Sequence, residues 1–324
     1  MVKTALITGI TGQDGILLTQ HLLDLGYQVI GLNDESRILR DSRFHELFPQ
    51  IKIIKMNLLD QPKLIKLLSE LEPDEIYNLA GLSSVKESYS LPVETFKVNT
   101  EFPITLLESI KKIKNLTSTR IFQASSSEMF GISEEESFSE KSHFNPRSPY
   151  AVSKSNTHYM CGIYRDAFGL QVSCGILFNH ESIYRSKQYV TRKITSGVAE
   201  IAAGSRKLIK LNSLEVKRDW GYAGDYIKAM WKMNQAESAQ DFVISSGELH
   251  SIREIVEIAL KVAGLDPDVE RYTEIDGELN RPLENYGTKG NSSLAKIKLN
   301  WKPEISFEQM IESLTRYDLN LVSN

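Results

Sequence analysis

The amino-acid sequence predicts an α/β protein with a doubly wound parallel sheet and a smaller mixed α/β lobe at its C-terminal end. An apolar, strand-like run from Thr4 to Thr8 leads directly into a glycine-rich turn. Strand-like runs and amphipathic helices then alternate as far as Phe178, and beyond it the pattern changes to loops in which cations recur. Alternating strands and helices are typical of a parallel sheet with helices on both faces. The glycine-rich turn after the first strand favours the Rossmann type of this fold.

The composition is that of a globular protein, since 41% of the 324 residues are hydrophobic and 25% are charged. The net charge of −4 gives no reason to expect a nucleic-acid partner. No apolar run reaches membrane-spanning length, and the first residues read as a strand rather than a signal peptide. Cys161 and Cys174 are too few for a disulfide framework, which favours a reducing compartment. We therefore expect a cytoplasmic protein with no membrane partner.

The glycine-rich turn is the first candidate binding site. It contains Gly9, Thr11, Gly12, Gln13, Asp14 and Gly15, and an amphipathic helix is predicted from about Ile16 to Leu25. Glycines let the backbone approach a pyrophosphate, and a helix N-terminus supplies N–H donors and positive potential. Strand, glycine turn and helix together predict a dinucleotide site.

The end of the second predicted strand, Gln28 to Leu32, concerns the choice between NAD and NADP. Asp34 follows this strand, and a carboxylate there can accept hydrogen bonds from the adenosine ribose. Asp34 therefore favours NAD. The nearby Arg37, Arg40 and Arg43 could instead bind the 2′-phosphate of NADP, so both cofactors stay open.

Later strand ends supply further cofactor candidates. Strands are predicted at Ile51 to Lys55 and Glu75 to Leu79, and a helical stretch from about Val93 to Lys112 precedes a strand from Arg120 to Ala124. Asp60 is expected to cap the helix that follows it. The residues expected to lie near the cofactor here are Asn57, Leu58, Leu79, Ala80 and Ser83.

The candidate catalytic residues come from two segments. Ser126, Ser127 and Glu128 follow the fifth strand, at the carboxyl edge where such sheets place ligands. Tyr150 and Lys154 are four residues apart, and a helix beginning near Pro149 puts both on one face. A nearby ammonium lowers the pKa of tyrosine from about 10, which would make Tyr150 a base toward an alcohol.

Cations recur in the C-terminal loops of an otherwise acidic chain. They are Arg185, Lys187, Arg192, Lys193, Lys217, Arg218 and Arg281. Such groups suit the diphosphate of a nucleotide-linked substrate. His180 is either catalytic or structural. The histidines are scattered and the cysteines isolated, so we expect no metal site.

Together these motifs resemble a known family. Thr8-Gly9-x-Thr11-Gly12-x-Asp14-Gly15, Ser126-Ser127-Glu128 and Tyr150-x-x-x-Lys154 look like those of the extended short-chain dehydrogenases. The runs Arg147–Val152, Gly175–Ser182, Val190–Lys193 and Lys217–Gly221 are more specific, and they resemble the GDP-mannose 4,6-dehydratases among the nucleotide-sugar dehydratases. The similarity covers nearly the whole chain.

The resemblance implies a redox-neutral lyase reaction with a tightly bound, recycled NAD or NADP. The sugar is oxidised at C4, water is eliminated across C5 and C6, and hydride returns to C6, giving GDP-4-keto-6-deoxy-mannose. Tyr150 would take the C4 hydroxyl proton, Lys154 would hold the nicotinamide ribose, and Ser126 would hydrogen-bond the C4 oxygen. Glu128 would take the C5 proton, and Ser127 or Glu128 would assist the loss of water.

The resemblance also implies binding residues and an assembly. The substrate contacts would be Ser83, Val85, Ser126, Asn179, Lys193, Arg218, Arg281 and Glu284, and His180 would join Tyr150 and Lys154 at the cofactor. We expect a dinucleotide-binding domain over residues 1–178 and about 214–246, with a nucleotide-sugar lobe over about 179–213 and 247–324. A homodimer or homotetramer is expected from the family.

Two departures from the family pattern keep alternatives open. Asp34 and Glu35 replace a pair of arginines that select NADP and reach across the tetramer interface. Ser126 replaces a threonine, as in the related reductases. The alternatives are an NAD(P)H-dependent GDP-4-keto-6-deoxy-sugar reductase, a dehydratase of another GDP-sugar such as a GDP-heptose, and a regulatory dinucleotide sensor. A regulatory sensor of this fold commonly lacks one residue of the Tyr-x-x-x-Lys pair, whereas Tyr150 and Lys154 are both present in this chain.

Overall fold

The computed structural model describes residues 2–35, 42–133, 135–276, 287 and 289–323. Its strands are β1 (Thr4–Thr8), β2 (Gln28–Asp34), β3 (Lys52–Met56), β4 (Glu75–Asn78), β5 (Arg120–Ser126), β6 (Gln171–Leu177), β7 (Asn179–Glu181), β8 (Ile209–Leu211), β9 (Lys217–Arg218), β10 (Trp220–Tyr222), β11 (Phe242–Ile244), β12 (His250–Ser251) and β13 (Thr273–Ile275). Its α-helices are α1 (Gln13–Asp24), α2 (Ser42–Leu47), α3 (Gln61–Leu71), α4 (Val85–Ser90), α5 (Pro92–Phe96), α6 (Phe102–Lys112), α7 (Pro149–Phe168), α8 (Val190–Ala202), α9 (Ala223–Gln235), α10 (Ile252–Val262), α11 (Val269–Tyr272), α12 (Ser293–Leu299) and α13 (Phe307–Ser323).

Seven strands form one parallel sheet in the order β11-β6-β5-β4-β1-β2-β3. This confirms the predicted doubly wound fold. The strand order reverses between β1 and β4, which are neighbours in space although the chain runs on from β1 to β2. Sheets of this kind bind ligands at such a switch point, outside the carboxyl ends of the strands.

Each face of the sheet has its own apolar core. Side chains alternate along β1, so that Ile7 packs with α1 and α9 on one face and Leu6 packs with α3, α6 and α7 on the other. A third cluster, among α8, α10 and α13, surrounds Ile194 and Ile255. The proposed division of the chain into two lobes stays a prediction.

Helix α7, which carries the predicted catalytic pair, is capped at both ends by residues that adjoin it in the sequence. The Ser148 hydroxyl accepts a hydrogen bond from the backbone N–H of Ala151 at 3.0 Å, and Pro149 occupies the first helical position. Gly169 ends the helix in the left-handed conformation, with φ of 71°. α7 therefore begins at Pro149, where the sequence predicts it.

Other elements differ from the prediction. Helix α1 begins at Gln13 rather than at about Ile16, because Gly12 serves as its N-cap and the end of the glycine turn is already helical. The helical stretch predicted over Val93 to Lys112 is α5 and α6, joined by a π-helical segment at Lys97–Glu101. Across the parts of the chain that the structure describes, no helix combines the length and apolarity needed to cross a bilayer.

Candidate active site

The glycine turn has the close backbone packing that a dinucleotide cradle requires. Gly9 has φ of 69°, and a Cβ there would lie 2.8 Å from the backbone nitrogen of Ala80. A Cβ on Gly15 would lie 2.3 Å from the carbonyl oxygen of Ile10. Larger residues are therefore excluded at both positions, and the N-terminus of α1 stays open to a phosphate. Thr11, Gly12 and Gln13 lie in the same turn, so these residues fit NAD or NADP.

The predicted adenosine side of the cofactor site is assembled at the end of β2. Oδ2 of Asp34 lies 3.5 Å from the backbone nitrogen of Leu58. This contact joins the end of β2 to the segment that follows β3. The side chain of Asn57 accepts a hydrogen bond from the backbone N–H of Leu59 at 3.0 Å. Asp60 caps α3 by accepting from the backbone N–H of Lys63 at 3.2 Å, as predicted. Arg37 lies outside the described residues.

The segment after β4 is held by a residue that the sequence analysis missed. Asn99, in the π-helical segment, accepts from the backbone N–H of Leu82 at 2.8 Å and donates to the carbonyl oxygen of Leu82 at 3.0 Å. The backbone N–H of Ala80 donates to the Thr8 hydroxyl at 3.1 Å. Leu79, Ala80 and Ser83 are thereby held beside the glycine turn.

The catalytic candidates meet at the carboxyl end of β5. The Ser126 hydroxyl lies close enough to the phenol of Tyr150 to act on its pKa. It also accepts from the backbone N–H of Glu128 at 3.2 Å, which begins a short 3₁₀ turn that includes Ser127. The carboxylate of Glu128 is close enough to raise the pKa of Tyr150. Two segments more than twenty residues apart thus form one cluster of a hydroxyl, a phenol and a carboxylate.

The expected effect of Lys154 on Tyr150 is not what the structure shows. Burial raises the pKa of Tyr150 well above its ordinary value, although the hydrogen bond from Ser126 opposes this rise. Nζ of Lys154 lies 5.9 Å from the centre of the Tyr150 ring and donates instead to the carbonyl oxygen of Ala124 at 2.9 Å. Burial also lowers the pKa of Lys154 to about 8. The prediction that Lys154 lowers the pKa of Tyr150 was therefore wrong for this structure. Burial of the phenol has the larger effect, because the ammonium group of Lys154 is directed at Ala124 instead.

His180 has a structural place between the glycine turn and β7. Its Nε2 lies 3.0 Å from Oδ2 of Asp14, and its Nδ1 lies 2.7 Å from the carbonyl oxygen of Phe178. Its ring stacks on that of Tyr226 at 4.7 Å between centroids. Gln13 donates to the carbonyl oxygen of His180 at 3.0 Å. His180 thus fixes the turn that would hold the cofactor.

Several of the substrate candidates lie in segments that contact one another. The hydroxyl of Ser83, which lies just before Val85 and α4, is 2.7 Å from the phenol oxygen of Tyr189. Tyr189 precedes α8, and its carbonyl oxygen accepts from the backbone N–H of Lys193 at 2.8 Å. Asn179 is paired with Trp220, two residues after Arg218. Arg281 and Glu284 lie outside the described residues.

Arg185 is a further residue that the sequence analysis noted only as one cation among several. Its guanidinium lies over the Tyr189 ring at 3.6 Å from the centroid, and its Nε is 3.4 Å from Oε2 of Glu181. Its charge acts to lower the pKa of both Tyr150 and Asp14. Arg185 therefore faces the space between the cofactor turn and the catalytic cluster. Only its position in the fold distinguishes it from the other cations.

Two charged residues of the family-like runs stabilise the fold. Arg192 is fully buried, and its guanidinium pairs with Asp318 of α13 at 2.6 Å. Asp219 is also fully buried, and it accepts from the backbone N–H groups of Ser246, Gly247 and Gly290 at 2.8, 2.9 and 3.1 Å. These contacts hold the segments that carry Lys193 and Arg218.

One group of metal-type side chains lies between α7, β6 and the residue before β11. The nearest ligand atoms of His158, Cys174 and Asp241 are all within 4.8 Å of one another. The Arg165 guanidinium is 2.5 Å from Asp241, and a cation already bound to this carboxylate disfavours a metal. The expectation of no metal site stays a prediction.

Comparison with known proteins places this geometry in a family. The model of the GDP-mannose 4,6 dehydratase family matches residues 6–314. The chain belongs to this family. GDP-mannose 4,6 dehydratase 1 of Arabidopsis thaliana is 40% identical over 329 residues, covering 98% of this chain and 90% of the relative.

Solved structures share the fold. The dTDP-glucose 4,6-dehydratase of Bacillus anthracis str. Ames, in complex with NAD, matches with a TM-score of 0.83 and 19% identity over 98% of this chain and 96% of that one. RMD from Pseudomonas aeruginosa, complexed with NADPH, matches with a TM-score of 0.81 and 22% identity over 99% and 100%. The family resemblance and the fold class predicted from the sequence are both confirmed.

Proposed function

We propose that this family member is a GDP-mannose 4,6-dehydratase, which converts GDP-mannose to GDP-4-keto-6-deoxy-mannose. The observation that carries the proposal is the cluster of Ser126, Glu128 and Tyr150 beside a dinucleotide cradle. A hydroxyl, a phenol and a carboxylate are the groups that oxidation at C4 and proton removal at C5 require.

The cofactor would lie along the carboxyl edge of the sheet. Gly9, Gly12 and Gly15 would face its pyrophosphate, Asp34 its adenosine ribose, and Lys154 its nicotinamide ribose. When bound, the nicotinamide would accept a hydride from C4 and return it to C6, so that none is consumed. NAD is favoured by Asp34.

The protein's own groups would then handle the protons. Tyr150 would take the proton of the C4 hydroxyl and later return it, while Ser126 hydrogen-bonds the same oxygen. Because burial raises its pKa, Tyr150 is a neutral phenol in the free protein, and it needs added positive charge nearby to act as a base. Lys154, one helical turn away on α7, could supply that charge if it turned from Ala124 toward the ring.

Elimination needs a base for C5 and an acid for the leaving hydroxyl of C6. Glu128 would take the C5 proton, which the C4 ketone makes acidic. The same carboxylic acid, or the hydroxyl of Ser127, would then protonate the departing oxygen. Both residues belong to one 3₁₀ turn, so a small movement would serve both steps.

The GDP part of the substrate would be held by cations of α8 and β9. Lys193 and Arg218 would bind the diphosphate and ribose, with Asn179 and Ser83 on the sugar side. Burial and the nearby Arg206 lower the pKa of Lys193, which an incoming phosphate would raise again. The family resemblance adds Arg281 and Glu284 to this set.

A homo-oligomer is the proposed assembly. Val152, Tyr159 and Ile163 form one exposed apolar line along α7, since their spacing of seven and four residues keeps them on one face. Val93 is exposed on the adjacent α5, and Leu91 is exposed directly before that helix. Contiguous exposed apolar side chains mark interaction sites, and the same faces of a second copy would cover them. A cytoplasmic location remains part of the proposal.

The decisive experiment follows GDP-mannose by proton NMR in D₂O with trace NAD. A new C6 methyl signal with deuterium at C5 supports the dehydratase and internal recycling of the cofactor. Folded, cofactor-loaded enzyme that forms no methyl group would refute the proposal for this sugar. GDP-heptose, and the 4-keto-6-deoxy sugar with NADH, would then test the two alternative enzymes.

A further inference from the structure

We propose that His158 is a positioning residue for catalysis, which clamps helix α7 to the end of strand β5 through Ser125. The inference rests on the proposed dehydratase function. His158 lies on α7 one turn after Lys154 and two turns after Tyr150, and it is 8% exposed. It is buried behind the catalytic cluster and has no place in the mechanism above.

The clamp joins the two elements that carry the reacting groups. Nδ1 of His158 lies 3.0 Å from the hydroxyl of Ser125, which directly precedes Ser126 in β5. The phenol of Tyr150 of α7 lies near the Ser126 hydroxyl, which acts on its pKa, and Lys154 of α7 donates to the carbonyl oxygen of Ala124. Three successive turns of the helix therefore contact three successive residues of one strand. Of these three contacts, the one between His158 and Ser125 is made by side chains that have no part in the proposed reaction.

The other side of the imidazole ring is also held. Nε2 of His158 lies 3.5 Å from Oδ2 of Asp241, which directly precedes β11. The other oxygen of Asp241 is 2.5 Å from the guanidinium of Arg165, whose Nε donates to the carbonyl oxygen of Val172 at 2.9 Å. Phe144 packs edge-on against the ring at 5.0 Å. These contacts fix the ring plane, so that Nδ1 points at Ser125.

The charges around His158 come from the helix and from two strands of the sheet. Burial opposes the charged form, but Cys174 of β6 and Asp241 raise the pKa of His158 above its ordinary value, and Arg165 of α7 opposes that rise. A hydrogen bond with Cys161, together with burial, raises the pKa of the Cys174 thiol. The doubly protonated ring donates to both Ser125 and Asp241, whereas the neutral ring keeps one N–H.

The expected consequence is a loss of turnover with little change in binding. The contacts of His158 are with Ser125, Asp241, Cys174, Phe144 and Tyr159, and none of these residues is assigned to GDP. A displacement of about 1 Å between reacting groups can cost about 100-fold in rate. Loosening the clamp should shift Tyr150 relative to Ser126 and lower kcat, while KM for the GDP-sugar stays the same.

A matched pair of variants separates positioning from packing. The amide of His158→Asn can occupy the place of Nδ1 and keep the Ser125 contact, whereas the longer His158→Gln reaches toward Asp241 and loses it. We expect His158→Asn to keep kcat within about threefold, and His158→Gln and Ser125→Ala to lose about 10- to 100-fold. The double variant His158→Gln/Ser125→Ala should be no worse than either single variant, because both remove the same contact.

Hydrogen exchange gives a readout that does not depend on turnover. Amides of residues 150–154 should exchange faster in His158→Gln and Ser125→Ala than in His158→Asn, with circular dichroism spectra unchanged. Equal behaviour of the Asn and Gln variants, in both rate and exchange, would overturn the proposal. Activity lost to a chelator and restored by Zn²⁺ would also overturn it, in favour of a metal site. A wild-type protein that forms no product from GDP-mannose refutes the dehydratase function for this sugar, and the exchange comparison still decides the clamp.

Discussion

The imidazole of His180 and the carboxylate of Asp14 form an ion pair of 3.0 Å that ties the glycine turn to the start of β7. Burial opposes charge on both groups, but their mutual attraction raises the pKa of His180 and lowers that of Asp14. The pair therefore stabilises the fold fully between the unfolded-state pKa values, about 4 for aspartate and about 6.5 for histidine. The contribution is lost as the pH rises through the raised pKa of His180.

The first prediction concerns stability. Asp14→Asn should lower the free energy of unfolding by about 1–2 kcal/mol at pH 6, between values typical of exposed and buried ion pairs. At pH 9 the loss should be smaller, because neutral His180 no longer attracts the carboxylate. Urea unfolding followed by tryptophan fluorescence at both pH values measures this, with the exposed Asp166→Asn as control. An equal loss at the two pH values would contradict the ion-pair account.

The second prediction uses the pKa of Lys154, which burial lowers to about 8. If the ammonium form binds the nicotinamide ribose, the dissociation constant for NAD should rise by up to about tenfold between pH 7 and pH 9, as the charged fraction falls. Calorimetric titration of the free protein with NAD at the two pH values checks this. Lys154→Met should bind NAD weakly at both pH values. A wild-type dissociation constant that does not change with pH would show that the charge of Lys154 contributes nothing to NAD affinity.

Residues with local roles were the ones that the sequence could identify. The glycine turn, the Asp60 cap and the Tyr150–Lys154 spacing depend on neighbours within a few positions, so their patterns are visible in one stretch of sequence. Asn99 depends instead on Leu82, 17 residues away, and on Ser153, 54 residues away. An asparagine within a helical pattern gives no sign of such partners. Its role could be assigned only from the fold.

Burial explains the other difference between expectation and structure. The spacing of Tyr150 and Lys154 placed both side chains on one helical face, which is correct. It could not show that the face is buried, nor that Lys154 would turn to the carbonyl group of Ala124. Desolvation depends on elements packed from elsewhere in the chain, so the direction of the Tyr150 pKa shift could not be derived from residue spacing.

The third prediction tests cofactor choice at Asp34. Its carboxylate lies at the end of β2, beside the backbone of Leu58, where it would repel a 2′-phosphate. Asp34→Arg should therefore shift the ratio of NADP to NAD affinity toward NADP by at least about tenfold, as expected of a charge-assisted contact. Fluorescence titration with NADH and NADPH measures the ratio. Asp34→Asn is the control, because it removes the repulsion between the carboxylate and the 2′-phosphate without adding the attraction of an arginine. An unchanged ratio in Asp34→Arg would mean that other residues, such as Arg37 or Arg43, already set the choice.

The fourth prediction removes the proposed C4 base. Tyr150→Phe keeps the ring in its buried site but deletes the phenol hydroxyl beside Ser126. Turnover of GDP-mannose should fall by about 100- to 10,000-fold, the usual contribution of a positioned acid or base. NMR detection of the C6 methyl group measures turnover, and NAD binding and thermal unfolding serve as controls. Activity within threefold of the wild type, with folding unchanged, would remove Tyr150 from the mechanism.

The last prediction separates the two halves of the reaction at Glu128. Glu128→Gln keeps the shape of the side chain and the 3₁₀ turn that Ser126 caps, but it cannot accept the C5 proton. Oxidation at C4 should continue, because Tyr150 and Ser126 are intact, whereas elimination should stop. With stoichiometric NAD and GDP-mannose, the variant should therefore show absorbance of reduced cofactor at 340 nm without deuterium at C5 or a C6 methyl group. Ser127→Ala is the matched control from the same turn, and it should retain C5 exchange even if the loss of water slows. Deuterium incorporation at the wild-type rate in Glu128→Gln would show that Glu128 is not the C5 base.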